Sequence, residues 1–276
     1  MNQYRYNQSD KMSYCLHPCP NRYLHRRSKL LSLFAANAIA LYLHEIDILI
    51  AATQNTRAGT RNAALAMLLF CQAGQPVEIS WLRWCDVDLN KKTRQVIRNR
   101  TPTSGNQPLS VNRQHLSIAE VEILKELQYL STTDWLLQSE RRQRLSERSI
   151  HHIIASSGAE AQLPFPVHPY MLRRSGLYYR AALLLEPLGL SLGQCCLLWN
   201  LYFTSTPLSP QEEIKYQAIQ RFQEEGFLFT LERIKAFTRI TAYDNLIDYL
   251  LGAFLLFPQL QRISQNYWLA PSNWLI

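Results

Sequence analysis

Apolar residues recur at helical spacing through most of the chain from Leu43 to about Ser264, and one stretch, Thr93–Arg100, has the β-branched content of a strand instead. This pattern predicts an α+β chain that is mainly α-helical, with its strands confined to a small hairpin. Leu43, Ile46, Ile48, Leu49 and Ile50 start one helix, and Ala64, Met67, Leu68 and Phe70 mark a second from about Thr60 to Gln72. Ala73-Gly74-Gln75-Pro76 breaks it, and a third, short helix follows over roughly Val77–Arg83. Turn residues from Thr101 to Gln107 close the hairpin, and Pro108–Val111 is the candidate return strand. Helical spacing resumes at Ser117–Leu130 and Ser146–Ala155, with Ser146 a candidate N-cap, and again from about Pro169 and over Gln194–Tyr202. Two or three helices follow Pro210, before an aromatic tail with Tyr267, Trp268 and Trp274. The most apolar window, Leu246–Phe257, contains Asp248 and ends at Pro258; it is too short to span a bilayer and reads as a buried helix.

Length and composition fit a globular chain. Its 276 residues suffice for one large domain or two modest ones, and 47% apolar with 18% charged residues excludes the disordered class. The net charge of +8 is concentrated: residues 1–206 carry 23 Lys and Arg against 14 Asp and Glu, and residues 207–276 carry 6 against 7. Between Leu89 and Ala119 there are six cations, Lys91, Lys92, Arg94, Arg98, Arg100 and Arg113, and no acid. A hairpin charged this way can lie along a nucleic-acid backbone, where each neutralised phosphate releases counterions; a solvated loop carries the same charge.

The start of the chain is polar and Tyr-rich, without a signal-peptide pattern, and residues 1–40 read as a basic arm (Arg22, Arg26, Arg27, Lys29) followed by a helix over Leu30–Leu43. The six cysteines are therefore expected as reduced thiols. Cys15, His17, Cys19 and His25 fit no standard zinc spacing, so neither metal nor cofactor is expected.

The segment Arg61–Asp88 narrows the reading. An arginine-led apolar helix is followed by Glu78, Leu82, Trp84, Asp86 and Asp88, in the order Glu-Ile-Ser-Trp-Leu-Arg-Trp-Cys-Asp-Val-Asp. It resembles the opening of the catalytic domain of tyrosine recombinases, the phage-type integrases. Leu43–Ala52 is similar to that family's lead-in helix. Arg98-Asn-Arg100 with Pro108-Leu109 resembles the hairpin that presents a catalytic lysine. His168-Pro-Tyr-Met-Leu-Arg-Arg174 resembles the His-x-Leu-Arg-His box, and Leu198-Trp-Asn200 stands where Leu-Gly-His is usual. The resemblance implies an integrase-like unit over 41–209, followed by a helical extension over 210–276. About 40 residues precede the match, so the family's N-terminal clamp domain is expected to be missing or reduced.

Departures from the family pattern bear on chemistry. The family's tyrosine attacks a scissile phosphate while two arginines, a lysine and His-type donors stabilise charge and protonate the leaving hydroxyl. The resemblance keeps Arg173 as the second arginine. It puts Gln75 at the first, Arg100 at the lysine and Tyr170, still a hydroxyl donor, at the first histidine. Arg174 and Asn200 replace the next two, and Ser209 stands at the nucleophile's offset, with no base evident nearby. A neutral amide cannot grip a phosphate as a guanidinium does, and a guanidinium is a poor proton donor. Loss of one arginine or of the nucleophile lowers such rates by several orders of magnitude.

The expectation is therefore a catalytically inactive DNA-binding protein of this family, acting in recombination or integration as an accessory factor or regulator of a mobile element, in the cytoplasm on the nucleoid. Its partner would be double-stranded DNA, met by Lys91, Lys92, Arg94, Arg98, Arg100, Arg113, Arg141, Arg142, Arg144, Arg173 and Arg174, with Arg180 adding to the basic bias. No membrane is expected. The alternative is an active recombinase with a displaced nucleophile, Tyr202 or Tyr216. Residues 211–264 either dock on another subunit, fold back over the basic groove, or add a layer to their own domain.

Overall fold

The computed structural model describes residues 39–90, 95–98, 112–203, 207–238 and 246–256. Helix α1 (Leu43–Gln54) buries Leu43, Ile46, Leu49 and Ile50, one helical face. Helix α2 (Gly59–Cys71) is buried on every side from Asn62 to Cys71, which makes it the axis of the core. After the short α3 (Pro76–Ser80), strand β1 (Val87–Asp88) pairs antiparallel with β2 (Gln95–Arg98), and β2 pairs antiparallel with β3 (Asn112–His115). Val96 is in backbone register with both Val87 and Gln114 across this three-stranded sheet. The return strand thus includes Asn112–His115; Pro108–Val111 lies outside the described residues, as do the N-terminal arm and the cysteine–histidine group near residue 20. Asn-Arg-Gln-His has no β-branched residue, so only its pairing with β2 marks it as a strand.

Helices α4 (Ile118–Leu130) and α5 (Glu147–Glu160) begin on serine caps. The Ser117 hydroxyl accepts from the Glu120 amide at 3.2 Å while Glu120 accepts from the Ser117 amide at 2.8 Å. Ser146 accepts from the Ser149 amide at 3.1 Å. Helix α6 (Pro169–Leu185) crosses α2 at Gly176, where a Cβ would lie 1.9 Å from the Phe70 carbonyl oxygen. Only glycine allows that approach. Helix α7 (Leu192–Phe203) buries Leu198 and Trp199.

The region beyond Pro210 forms α8 (Pro210–Gln217), α9 (Arg221–Thr238) and α10 (Leu246–Leu256). As its composition predicts, α10 is buried: Leu246, Ile247, Leu250 and Leu251 enter the core that also holds α2 and α6. Tyr249 lies against Tyr178 of α6 with ring centroids 6.0 Å apart, and Gly252 sits over the same ring. The described part of this extension is therefore a layer on its own domain. Arg180 of α6 fastens α9 to the sheet: its guanidinium stacks 3.3 Å from the Phe237 ring centroid and donates to the Cys71 carbonyl (2.6 Å) and the Gln114 side chain (3.3 Å). Among the described residues no single helix is long and apolar enough to cross a membrane.

Candidate phosphate-facing site

The link between α2 and α3 is held from both sides. Gln72, fully buried, donates to the His115 carbonyl at 3.0 Å and to the Glu120 carboxylate at 2.8 Å. Burial pushes the Glu120 carboxyl up from its usual range, against the hydrogen bonds from Ser117 and Gln72 and the nearby Arg180 charge. With Gln72 anchored, the chain turns at Ala73, whose φ of 43° is in the left-handed region that a Cβ disfavours. This turn presents the Ala73 carbonyl to Arg173, which donates to it through Nη1. Gln75 then starts α3, and its amide donates to Glu78 Oε2 at 2.9 Å. The same oxygen lies 3.9 Å from Arg173 Nη1, with the two side chains 12% and 8% exposed.

The backbone amide of Gln75 and the Arg173 guanidinium therefore meet at one carboxylate, that of Glu78. The sequence pattern places Glu78 in the motif but does not reveal it as the counter-ion of Arg173. Tyr170, nearly one turn earlier on α6, is exposed and packs against His151 of α5 with ring centroids 5.8 Å apart. Partial burial and the Glu147 charge push its phenol up, and Arg173 opposes them. Arg174 is exposed on the same helix.

A second group of cations adjoins the far end of α3. Arg144 donates to the Ser80 hydroxyl at 2.7 Å and lies 4.0 Å above the Trp81 ring. Trp81 meets Trp135 edge-on at 5.9 Å, and Arg83 covers Trp135 at 4.5 Å. Arg141 and Arg142 are exposed at the tip of the tight turn that leads to Arg144, closed by the Ser139 amide donating to the Gln143 carbonyl at 2.7 Å. Arg142 adopts φ 58° there. Trp81, Trp135 and Arg83 are absent from the sequence-based set, because stacking between residues 52 or more positions apart leaves no periodic trace. Arg113 is exposed on β3. Lys91, Lys92, Arg94 and Arg100 lie outside the described residues, and of Arg98 only the backbone is described.

The residues at the nucleophile's end are placed differently. Ser209 is the N-cap of α8: its hydroxyl accepts from the Glu212 amide at 3.3 Å and donates to the Glu212 carboxylate at 2.7 Å. A carboxylate does therefore stand beside Ser209, contrary to the sequence reading. Hydrogen bonds from the Ser209 amide and hydroxyl hold Glu212 below its usual range, which weakens it as a base. Asn200 is buried on α7. Tyr202 and Tyr216 both donate to one oxygen of Glu224 on α9, Tyr216 at 2.9 Å. That shared carboxylate is the first cause of both raised phenols, and with partial burial it takes Tyr202 up to about 12. Raised phenols are poorer sources of phenolate at neutral pH.

The family model for the phage integrase family matches residues 40–178, half of the chain. This chain belongs to that family. The type 1 fimbriae regulatory protein FimB of Escherichia coli strain K12 is 32% identical to it over 137 residues, which are 48% of this chain and 65% of FimB. The FimB of Escherichia coli O157:H7 matches to the same extent. The match thus spans less than two thirds of these relatives' own length. Among solved structures, the XerA recombinase superposes on 81% of this integrase-family chain and 65% of its own, with a TM-score of 0.52 and 17% identity. That is a likeness of fold. It extends past residue 178, so the integrase-family scaffold and the mainly helical α+β architecture agree with the sequence expectation.

Proposed function

We propose that this chain is a DNA-binding member of the phage integrase family that holds duplex phosphates without cleaving them, and acts as an accessory factor or regulator of recombination. The observation that carries this reading is the state of the nucleophile position. Ser209 is consumed as a helix cap, its neighbouring carboxylate is held at low basicity, and the nearest tyrosines share Glu224 instead. Arg173 is paired with Glu78, and the resemblance to the family puts the neutral Gln75 where its first arginine belongs. Exposed Arg113, Arg141, Arg142 and Arg174 supply phosphate contacts, with Lys91, Lys92, Arg94, Arg98 and Arg100 of the hairpin as further members of the set. The word regulatory in the name of the Escherichia coli relative supports the regulator role. On this reading residues 41–209 are the DNA-holding unit, 210–276 are its extension, and the protein resides on the nucleoid in the cytoplasm.

Binding to a labelled duplex, followed by anisotropy across a salt series, tests the reading. Each phosphate neutralised should add about −0.9 to the slope of log affinity against log salt, so five or so contacts give an affinity that collapses between about 50 and 200 mM salt. A flat slope, or no binding at the low end, contradicts it.

A further inference from the structure

The segment from Ser131 to Leu145 is fastened at several points to the chain that follows α3. The Trp84 amide donates to the Asp134 carbonyl at 3.0 Å and its indole to the Ser131 hydroxyl at 2.8 Å, while the Leu136 amide donates to the Leu82 carbonyl at 2.9 Å. The Leu145 amide returns to the Leu137 carbonyl at 3.0 Å, and Arg61 of α2 donates to the Gln138 carbonyl at 3.1 Å. The turn carrying Arg141 and Arg142 therefore stands on a fixed base. At that base Trp81 and Trp135 meet, with Arg144 on the face of the first ring and Arg83 on the face of the second.

These two stacked guanidiniums differ from those of Arg180 and Arg173. Arg180 also lies on a ring, but it donates to the Cys71 carbonyl and the Gln114 side chain. Arg173 faces Glu78. Arg144 gives one of its N–H groups to the Ser80 hydroxyl, and the Arg83 side chain makes no hydrogen bond among the described residues. Neither is ion-paired with a carboxylate among those residues, and Glu140 of the same turn faces Arg57 at 3.9 Å instead. Both are only half-buried, so their remaining donors are open to an anion. A guanidinium already held flat on a ring loses little freedom on binding, and its planar fork matches the oxygens of a phosphate. Glu78 and Ser80 stand two positions apart on α3 and do not share a face, which separates this pair from the Arg173 site.

We infer that Trp81 and Trp135 are positioning residues that aim Arg144 and Arg83 at backbone phosphates of duplex DNA, in a second phosphate-holding site apart from Arg173. The inference rests on the DNA-binding reading and adds Arg83 and the two indoles to it. The rings act through the arginines that cover them. Contacts of this kind fix the register of the protein on the duplex and carry no sequence preference.

Full-length wild type, Arg83→Gln, Arg144→Gln, Trp81→Ala and Trp81→Phe are each titrated with a random-sequence duplex, by anisotropy over a salt series, with circular dichroism melts alongside. Each glutamine variant should reduce the salt slope by about 0.9. Trp81→Ala removes no charge, yet it should weaken binding by about tenfold and reduce the slope by about 0.9, since Arg144 loses the ring beneath it. Trp81→Phe keeps a ring there and should bind within about threefold of wild type. A Trp81→Ala protein that melts lower but keeps the wild-type slope marks a purely structural tryptophan and overturns the inference, as does a Trp81→Phe protein as weak as Trp81→Ala. If Trp81→Ala does not fold, the glutamine variants decide: an unchanged slope in either overturns the second site and leaves the DNA-binding reading standing. Failure of wild type to bind at about 50 mM salt sinks both.

Discussion

Replacing Glu78 by glutamine isolates the charge that holds Arg173. The carboxylate accepts the Gln75 amide at 2.9 Å and faces Arg173 Nη1 at 3.9 Å, with both side chains at most 12% exposed. At that separation and an effective dielectric of about 20, the gross attraction is about 4 kcal/mol. Glutamine keeps an oxygen for the Gln75 amide, so the start of α3 stays capped. The substitution also removes the penalty of burying a carboxylate, which offsets part of the lost attraction. The Arg173 bond to the Ala73 carbonyl remains. The net expectation is a destabilisation of about 2 kcal/mol, below the full cost of orphaning a buried charge. For a chain of this size that lowers the melting temperature by about 4–8 °C in circular dichroism. Glu78→Ala, which loses the cap bond as well, should melt lower still by roughly 1 kcal/mol equivalent. A Glu78→Gln protein that melts at or above the wild-type temperature refutes the argument that this pair fixes Arg173.

Three further outcomes follow from other contacts. Gly176→Ala places a Cβ 1.9 Å from the Phe70 carbonyl oxygen; the better helix propensity of alanine, about 1 kcal/mol, is outweighed by overpacking of about 2–4 kcal/mol, seen as a lower urea midpoint, and an unchanged midpoint counts against the close α2–α6 crossing. Glu224→Gln should bring the Tyr202 phenol from about 12 back toward the ordinary tyrosine value of about 10, read by tyrosinate absorbance. Because the folded phenol is raised, its contribution to stability is complete below about pH 10 and lost as pH rises through about 12, so wild type should weaken more steeply than Glu224→Gln in that window. Arg141→Ala and Arg142→Ala should each reduce the salt slope of duplex binding by about 0.9 while leaving sequence preference alone; an unchanged slope takes the 139–144 turn off the DNA backbone.

Local signals make much of the fold legible. Ser117 and Ser146 mark helix starts through their hydroxyls, Pro169 and Pro210 stand at first helical positions where a missing amide does no harm, and the unbroken burial of α2 follows from a run that is apolar on every side. Asn112–His115 is not legible, because its pairing with Gln95–Arg98 and not its own composition makes it a strand. At the site, the motif picks out Arg173 and Gln75, but the approach of Arg173 and the Gln75 backbone amide to Glu78 depends on the left-handed turn at Ala73, which alanine gives no reason to expect. Glu224 joins Tyr202 and Tyr216 across 22 and 8 positions, a contact set by packing of α9 near α7 and α8. The same holds for Arg144, Trp81, Trp135 and Arg83, which meet only because the fold brings the 135–144 segment against the end of α3.

The central claim is that a phosphate-holding surface persists here without a group able to attack the phosphate. Suicide duplexes drawn from a randomised pool that the protein retains at low salt test it most directly, with denaturing gels read for protein joined to DNA. Retained duplex and no detergent-resistant conjugate are expected. A conjugate that vanishes in Tyr202→Phe or Tyr216→Phe would contradict it and make this chain an active recombinase.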